Sequence, residues 1–208
     1  MRANERLVAN DGYEVLLFPL EYLYMSQDEG GDYSHLYTYA IDFLGWGANG
    51  RIYNCPYYAP CTCKCVATFG SGRVFQSINK VHTVDGYFGI ITFACHHDNT
   101  PVSPSSHIYQ QGVLIGHTGT AGNVTGDHLH LNVAHGVYDG YYDVGTGHYQ
   151  LKNSVHIYDT MYVNDTVIVR GYNHNWRTYS GVTPEGKKYK FKWVLYANKI
   201  RERQQNNS

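Results

Sequence analysis

Charge is scarce in this 208-residue chain. Asp, Glu, Lys and Arg make up 16% of it, and 16 basic against 17 acidic residues leave a formal net charge of −1. A balance so near neutrality offers no broad basic field to a nucleic acid or an anionic lipid surface. Long apolar runs are missing as well, none reaching the roughly 18 residues of a transmembrane span. The opening Met1-Arg2-Ala3-Asn4-Glu5-Arg6 has no apolar core, and Glu14 and Glu21 interrupt the stretch that follows, so no secretion signal is expected. Cysteine is sparse and odd in number, five in all, which argues against a disulfide framework. Cys61, Cys63 and Cys65 alternate, as on one strand face, without the Cys-x-x-Cys knuckle of structural zinc, so buried free thiols are expected.

What is abundant is tyrosine and glycine, 21 and 22 residues. Many aromatics, frequent turn formers and no convincing long helix predict a mainly β protein built on antiparallel sheet. The length suits one medium domain, or a domain with a small appendix, and is enough to bury a core. Residues 13–25 read as an extended apolar lead-in that Pro19 bars from helix. Residues 26–34 read as loop, and 34–43 as a β-prone run. A turn-rich connection over 45–60 leads to strands at 61–69 and 73–84. Asp85-Gly86 then signals a hairpin into a strand over 87–95. Residues 103–109 read as loop and 110–116 as a turn with a short strand. A glycine-rich tract separates a first unit, 1–146, from a small β-rich C-terminal extension, 147–200. That extension holds strand-like runs at 155–163, 166–169 and 189–195, and 201–208 form a polar tail.

The chemistry gathers around a glycine loop, Gly116-His117-Thr118-Gly119-Thr120-Ala121-Gly122, followed by Gly126-Asp127-His128-Leu129-His130-Leu131. From His128 to Val133 polar and apolar residues alternate, as in a strand buried on one face. Strand residues two apart point the same way, roughly 6–7 Å from each other. His128 and His130 therefore look into one space. They can share a metal, or divide metal binding and proton handling; a strand showing two histidines to solvent fits equally. Asp42 sits between Ile41 and Phe43. Buried there it needs a partner, which a metal supplies; on an edge strand it needs none. The 87–95 strand delivers His96-His97-Asp98-Asn99, and since neighbours point to opposite faces, only one of the two histidines is expected at any cleft. His117 reads as a surface loop residue. His82, His107, His135, His148, His156 and His174 carry no spacing signal.

In order, Gly112-Val113-Leu114-Ile115-Gly116, Gly119-Thr120-Ala121-Gly122 and Gly126-Asp127-His128-Leu129-His130-Leu131 resemble the lysostaphin/LytM-like zinc endopeptidases, peptidase family M23. Tyr58-Ala59-Pro60 is similar to that family's Ala-Pro element, and Cys95-His96-His97-Asp98-Asn99 to a run in its phage-borne group. The likeness covers roughly residues 33–137. It implies a zinc ion held by His35, Asp42 and His130, with His128 and His97 as the catalytic histidines and His96 as the alternative to His97. Two departures stand out. His35 and Asp42 are seven residues apart where the family's usual spacing of four would select Thr38. Positions seven apart in an unbroken strand face opposite sides, so a bend is expected between them. Cys63 stands near an expected glycine, which bears on hairpin geometry more than on chemistry.

The resemblance implies a zinc-dependent endopeptidase acting on peptidoglycan stem peptides or cross-bridges. Its setting would be a phage endolysin or tail-associated lysin, in the virion tail or released from the host cytoplasm to the wall, with other tail proteins as partners. Two His and one Asp leave a tetrahedral ion one open position, as in catalytic sites. Loops 44–57 and 98–109 are expected to border the groove. The alternatives are a catalytically inactive M23-like phage structural or wall-binding protein, and a metal-binding storage or regulatory β domain.

Overall fold

The structure, a computed structural model, describes residues 1–145 and 147–179. The expected strand at 189–195 and the tail 201–208 lie outside the described residues. In chain order the first strands are Tyr22–Gln27 (β1), Ile41–Phe43 (β2), Trp46–Gly47 (β3), Gly50–Arg51 (β4), Pro56–Tyr58 (β5), Cys63–Phe69 (β6), Gly72–Ser77 (β7) and Val81–His82 (β8). Then follow Phe88–Gly89 (β9), Ile91–His96 (β10), Leu114–His117 (β11), Leu129–His135 (β12), Tyr141–Asp143 (β13), Tyr149–Leu151 (β14), Ser154–Val155 (β15), a single helical turn Ile157–Thr160 (α1) and Val167–Arg170 (β16).

One large sheet runs β16-β1-β2-β12-β10-β7-β6, with β15 added to β12. Its pairings are antiparallel except β1 with β16. The protein is thus mainly β and built on antiparallel sheet, as composition predicts. The expected hairpin at Asp85-Gly86 joins β8 to β9, and Gly86 takes the positive φ, +83°, that such a turn requires. Among the described residues no helix is long and apolar enough to cross a membrane.

The two faces of the sheet follow from alternation along its strands. Leu129, Leu131 and Val133 of β12 turn to one side, where they join Ile91, Phe93, Phe75, Cys63 and Cys65 in the core. Phe75 and Phe93 stack at 5.2 Å, and Phe18 meets Phe43 edge-on at 4.8 Å. All five cysteines are free and buried, and burial pushes the thiols of Cys61 and Cys63 well above their ordinary range. On the opposite face, Leu151 and Tyr141 of the β13–β14 hairpin cover Ala134, Ala94 and Val74. That cover stops short of His130, and the uncovered part of the face is where the titratable residues meet.

Two stretches differ from their expected form. Within 34–43 only Ile41–Phe43 is strand. Gly30 and Gly31 start a tight turn in which His35 N–H bonds Gly31 O, Thr38 N–H bonds His35 O, and Tyr37 adopts φ +63°. Backbone groups bonded inside a turn are not free to pair with a neighbouring strand, which is why the β-prone side chains there do not make one. Within 155–163 the strand ends at Val155, α1 takes up Ile157–Thr160, and the chain then runs extended, with Tyr162 bridged to Leu17. The helical turn brings Ile157 and Met161, four apart, onto one side, and both are fully buried.

A candidate metal centre

Register builds the site. His96 of β10 lies opposite His130 of β12, and His130 lies opposite Asp42 of β2, so three polar side chains form a row across three strands. His35, fully buried, reaches the same point from the turn, which supplies the bend its spacing from Asp42 demanded. His130 Nδ1 is 3.0 Å from Asp42 Oδ1, His35 Nε2 is 3.2 Å from the same oxygen, and the two ring nitrogens are 3.1 Å apart. Donors bonded 2.0–2.2 Å from a tetrahedral zinc lie about 3.3 Å from each other, close to this triangle.

The protons argue for a cation too. His35 Nδ1 is 2.9 Å from Asp28 O, and since a carbonyl only accepts, Nδ1 carries the hydrogen. In the neutral ring Nε2 then aims a lone pair at Asp42 Oδ1, an arrangement of two acceptors that a metal ion resolves. Burial raises the Asp42 carboxyl, but the adjoining imidazoles of His130 and His35 outweigh it and hold the group well below the usual carboxylate range. Burial lowers His130. The donor set therefore fits a divalent zinc-type ion, and the group is a possible metal site.

His128 and His97 border this triangle. His128 Nε2 is 3.5 Å from Asp42 Oδ1, and its Nδ1–H donates to Gly126 O at 2.8 Å. His97 Nδ1–H donates to Ala121 O at 2.8 Å, and its ring centre is 4.6 Å from that of His128. Burial pushes the His97 imidazole down to about 4, so it is neutral at pH 7. His96 also lines the cleft, against the expectation that only one of the adjacent pair could. The reason is local: β10 ends at His96, and His97 turns into the left-handed region, φ +79°, which breaks the alternation. His96 packs its ring on Gly72, where a Cβ would come within 2.3 Å of it, and burial holds it well below its ordinary range.

No family model matches the chain. Over 171 residues it is 36% identical to Morphogenesis protein 1 of Bacillus phage B103, an alignment taking in 80% of this chain and 45% of that protein. The chain thus spans under half the length of that relative. Among solved structures, a zinc-containing peptidase from Vibrio cholerae superposes with a TM-score of 0.40 at 18% identity, over 62% of this chain and 37% of that one. Pseudoalterin, a deep-sea M23 metalloprotease, gives a TM-score of 0.40 at 15% identity, over 78% of this chain and 84% of that one.

The cleft above the triangle has a volume of about 670 Å³ and is walled by Tyr33, Arg51, Tyr53, Phe69 and Tyr149. Of the two loops expected to border it, 44–57 contributes Leu44, Arg51 and Tyr53, whereas 98–109 contributes no described lining residue. Asp98 explains this, because its carboxylate binds the amides of Thr100 and His117 and folds that loop onto β11. The wall is completed instead by 123–127 and 147–149, including His148, which sequence spacing did not mark. His117 is not among the lining residues.

Several supporting residues were equally silent in the sequence. Gln27 Nε2 donates to Asp42 Oδ2 at 3.1 Å. Asp127 accepts from Thr118 Oγ1 at 2.6 Å and from the Asn54 amide at 2.9 Å, while Arg51 binds its carbonyl. These bonds hold the residue next to His128. Asp127 adjoins the His-x-His pair in sequence, the one signal that pointed to it.

Proposed function

We propose that this chain is a zinc-dependent endopeptidase that hydrolyses amide bonds of peptidoglycan stem peptides or cross-bridges, in the setting of a phage particle. The observation that carries the reading is the triangle of His35, Asp42 and His130 at the floor of a cleft, with two tautomer-fixed histidines beside it. The M23 resemblance of the glycine loop and His-x-His run supports it, and the phage relative supports the setting. A virion tail or wall-release location and contacts with other tail proteins belong to the same proposal.

In this reading His35, Asp42 and His130 hold the ion. Zn2+ bound there supplies Lewis acidity, polarising the scissile carbonyl and lowering the pKa of water toward neutrality. The rest is done by the chain. With Nδ1–H committed to Gly126 O, His128 keeps an unprotonated Nε2 beside the ligand cluster, where it takes a proton from the attacking water and later returns it to the leaving amine. His97, neutral and tied to Ala121 O, offers a second fixed nitrogen to the same water network. One carboxylate among the ligands leaves the loaded site at +1, which favours negative charge developing on the carbonyl oxygen. The aromatic walls and the cleft volume suit a lightly charged peptide segment.

The name of the phage relative favours one second reading, a structural role in particle assembly on the same fold without hydrolysis. Zymography on purified cell walls separates the two, followed by mass analysis of released peptides. The peptidase reading expects clearing by the native chain and none after chelation or in His128→Ala. No clearing and no new amine ends from any wall favours the structural role, whereas equal clearing by native chain and variant contradicts the role given to His128.

A further inference from the structure

Outside the cleft a second set of donors converges. One ligand atom from each of Asp28, Glu29 and His174 lies within 4.8 Å of the other two. His174 Nε2 is 2.8 and 3.0 Å from the two oxygens of Asp28 and 3.9 Å from Glu29 Oε1. The three side chains are 32%, 12% and 16% exposed, so they are held in place yet open to an arriving ion.

Each donor is oriented by a neighbour. The other oxygen of Glu29 accepts from His156 Nδ1–H at 2.6 Å, which turns Oε1 toward His174. The His174 ring lies flat on Tyr158, 3.8 Å away and 14° from parallel, which fixes the direction of Nε2. Partners of this kind are what orient ligands around a metal. Two consecutive carboxylates and one imidazole thus bring three ligand atoms to one point. We propose that Asp28, Glu29 and His174 hold a second divalent ion of the zinc class, which braces the turn that presents His35 to the cleft. An imidazole among the donors selects a first-row transition metal over calcium or magnesium, which take all-oxygen sets. Two carboxylates cancel the ion's charge, so this site is structural, unlike the +1 site of the cleft.

The brace acts through one bond. The backbone carbonyl of Asp28 accepts the Nδ1–H of His35 at 2.9 Å. Pinning the Asp28 side chain to residue 174, 146 positions away, therefore fixes the group that sets the tautomer and ring plane of His35. This site does not depend on the proposed hydrolysis.

The test is metal analysis of the full chain after equilibration with excess zinc and gel filtration. The native chain is expected to hold two equivalents, His174→Ala one, His130→Ala one, and the double variant none. Glu29→Gln keeps side-chain shape and is expected to lose the same equivalent as His174→Ala, so it carries the test if the histidine variant does not fold. Zinc should also raise the melting temperature of His130→Ala, which retains only the second site. If His174→Ala and Glu29→Gln hold as much zinc as the native chain, the proposal is overturned, whatever His130→Ala does. Zinc lost only in the His174 and Glu29 variants would leave the second site standing and remove the cleft ion instead.

Discussion

Asp42 Oδ1 lies within 3.5 Å of three imidazoles, those of His35, His128 and His130. Ligation and proton handling therefore meet on one atom, and substitutions should separate them. Asp42→Asn keeps the shape and removes the charge, so it is expected to cost one zinc equivalent and all measurable wall clearing. His128→Ala should keep the zinc and lower kcat by about 10²- to 10⁴-fold, the usual worth of a general base. Metal analysis beside turnover checks both, and loss of zinc from His128→Ala would contradict its assigned role. His97 gives a pH prediction for the metal-free chain. Its imidazole is pushed from 6.5 down to about 4 in the folded state. Between these values the unfolded chain binds the proton first, so stability falls as pH drops through that window and levels off below it. Denaturant titrations from pH 7 to 4 should show that slope, and His97→Gln should make it shallower, with buried His96 and His130 supplying the remainder.

Secondary structure positions these groups through close backbone approaches. A Cβ on Gly119 would stand 2.2 Å from the His97 carbonyl oxygen, so Gly119→Ala must shift either the glycine loop or the end of β10. Turnover by that variant is expected to fall at least tenfold with the folded state retained by circular dichroism; unchanged turnover would mean the loop does not set His97. The sequence was most legible where one strand governs its own pattern. Alternation from His128 to Val133 separated core leucines from cleft histidines, and the row His96, His130, Asp42 follows from pairing such strands. It was least legible where distant bonds shape the chain. The turn carrying His35 is secured by Asp28, whose partner His174 lies far along the chain, and no local propensity encodes that. Likewise, period-two alternation could not foresee the positive φ of His97.

At the scale of the molecule, segments remote in sequence close around β2. Residues 167–170 add β16 parallel to β1, and Trp176 packs edge-on against Phe18 at 5.9 Å and Phe43 at 6.3 Å, the latter next to Asp42. Trp176→Ala is expected to cost about 3 kcal/mol in denaturant unfolding, at the low end for a large buried aromatic, and to weaken zinc binding through β2. A change below about 0.5 kcal/mol would place that segment outside the cooperative unit. The central claim, that residues 35, 42 and 130 hold a catalytic ion, is tested most directly by anomalous scattering from crystals at the zinc absorption edge. The account predicts a peak within about 2.0–2.2 Å of His35 Nε2, Asp42 Oδ1 and His130 Nδ1, with no fourth protein donor. An absent peak in zinc-saturated crystals, or one capped by a fourth side chain, would contradict it.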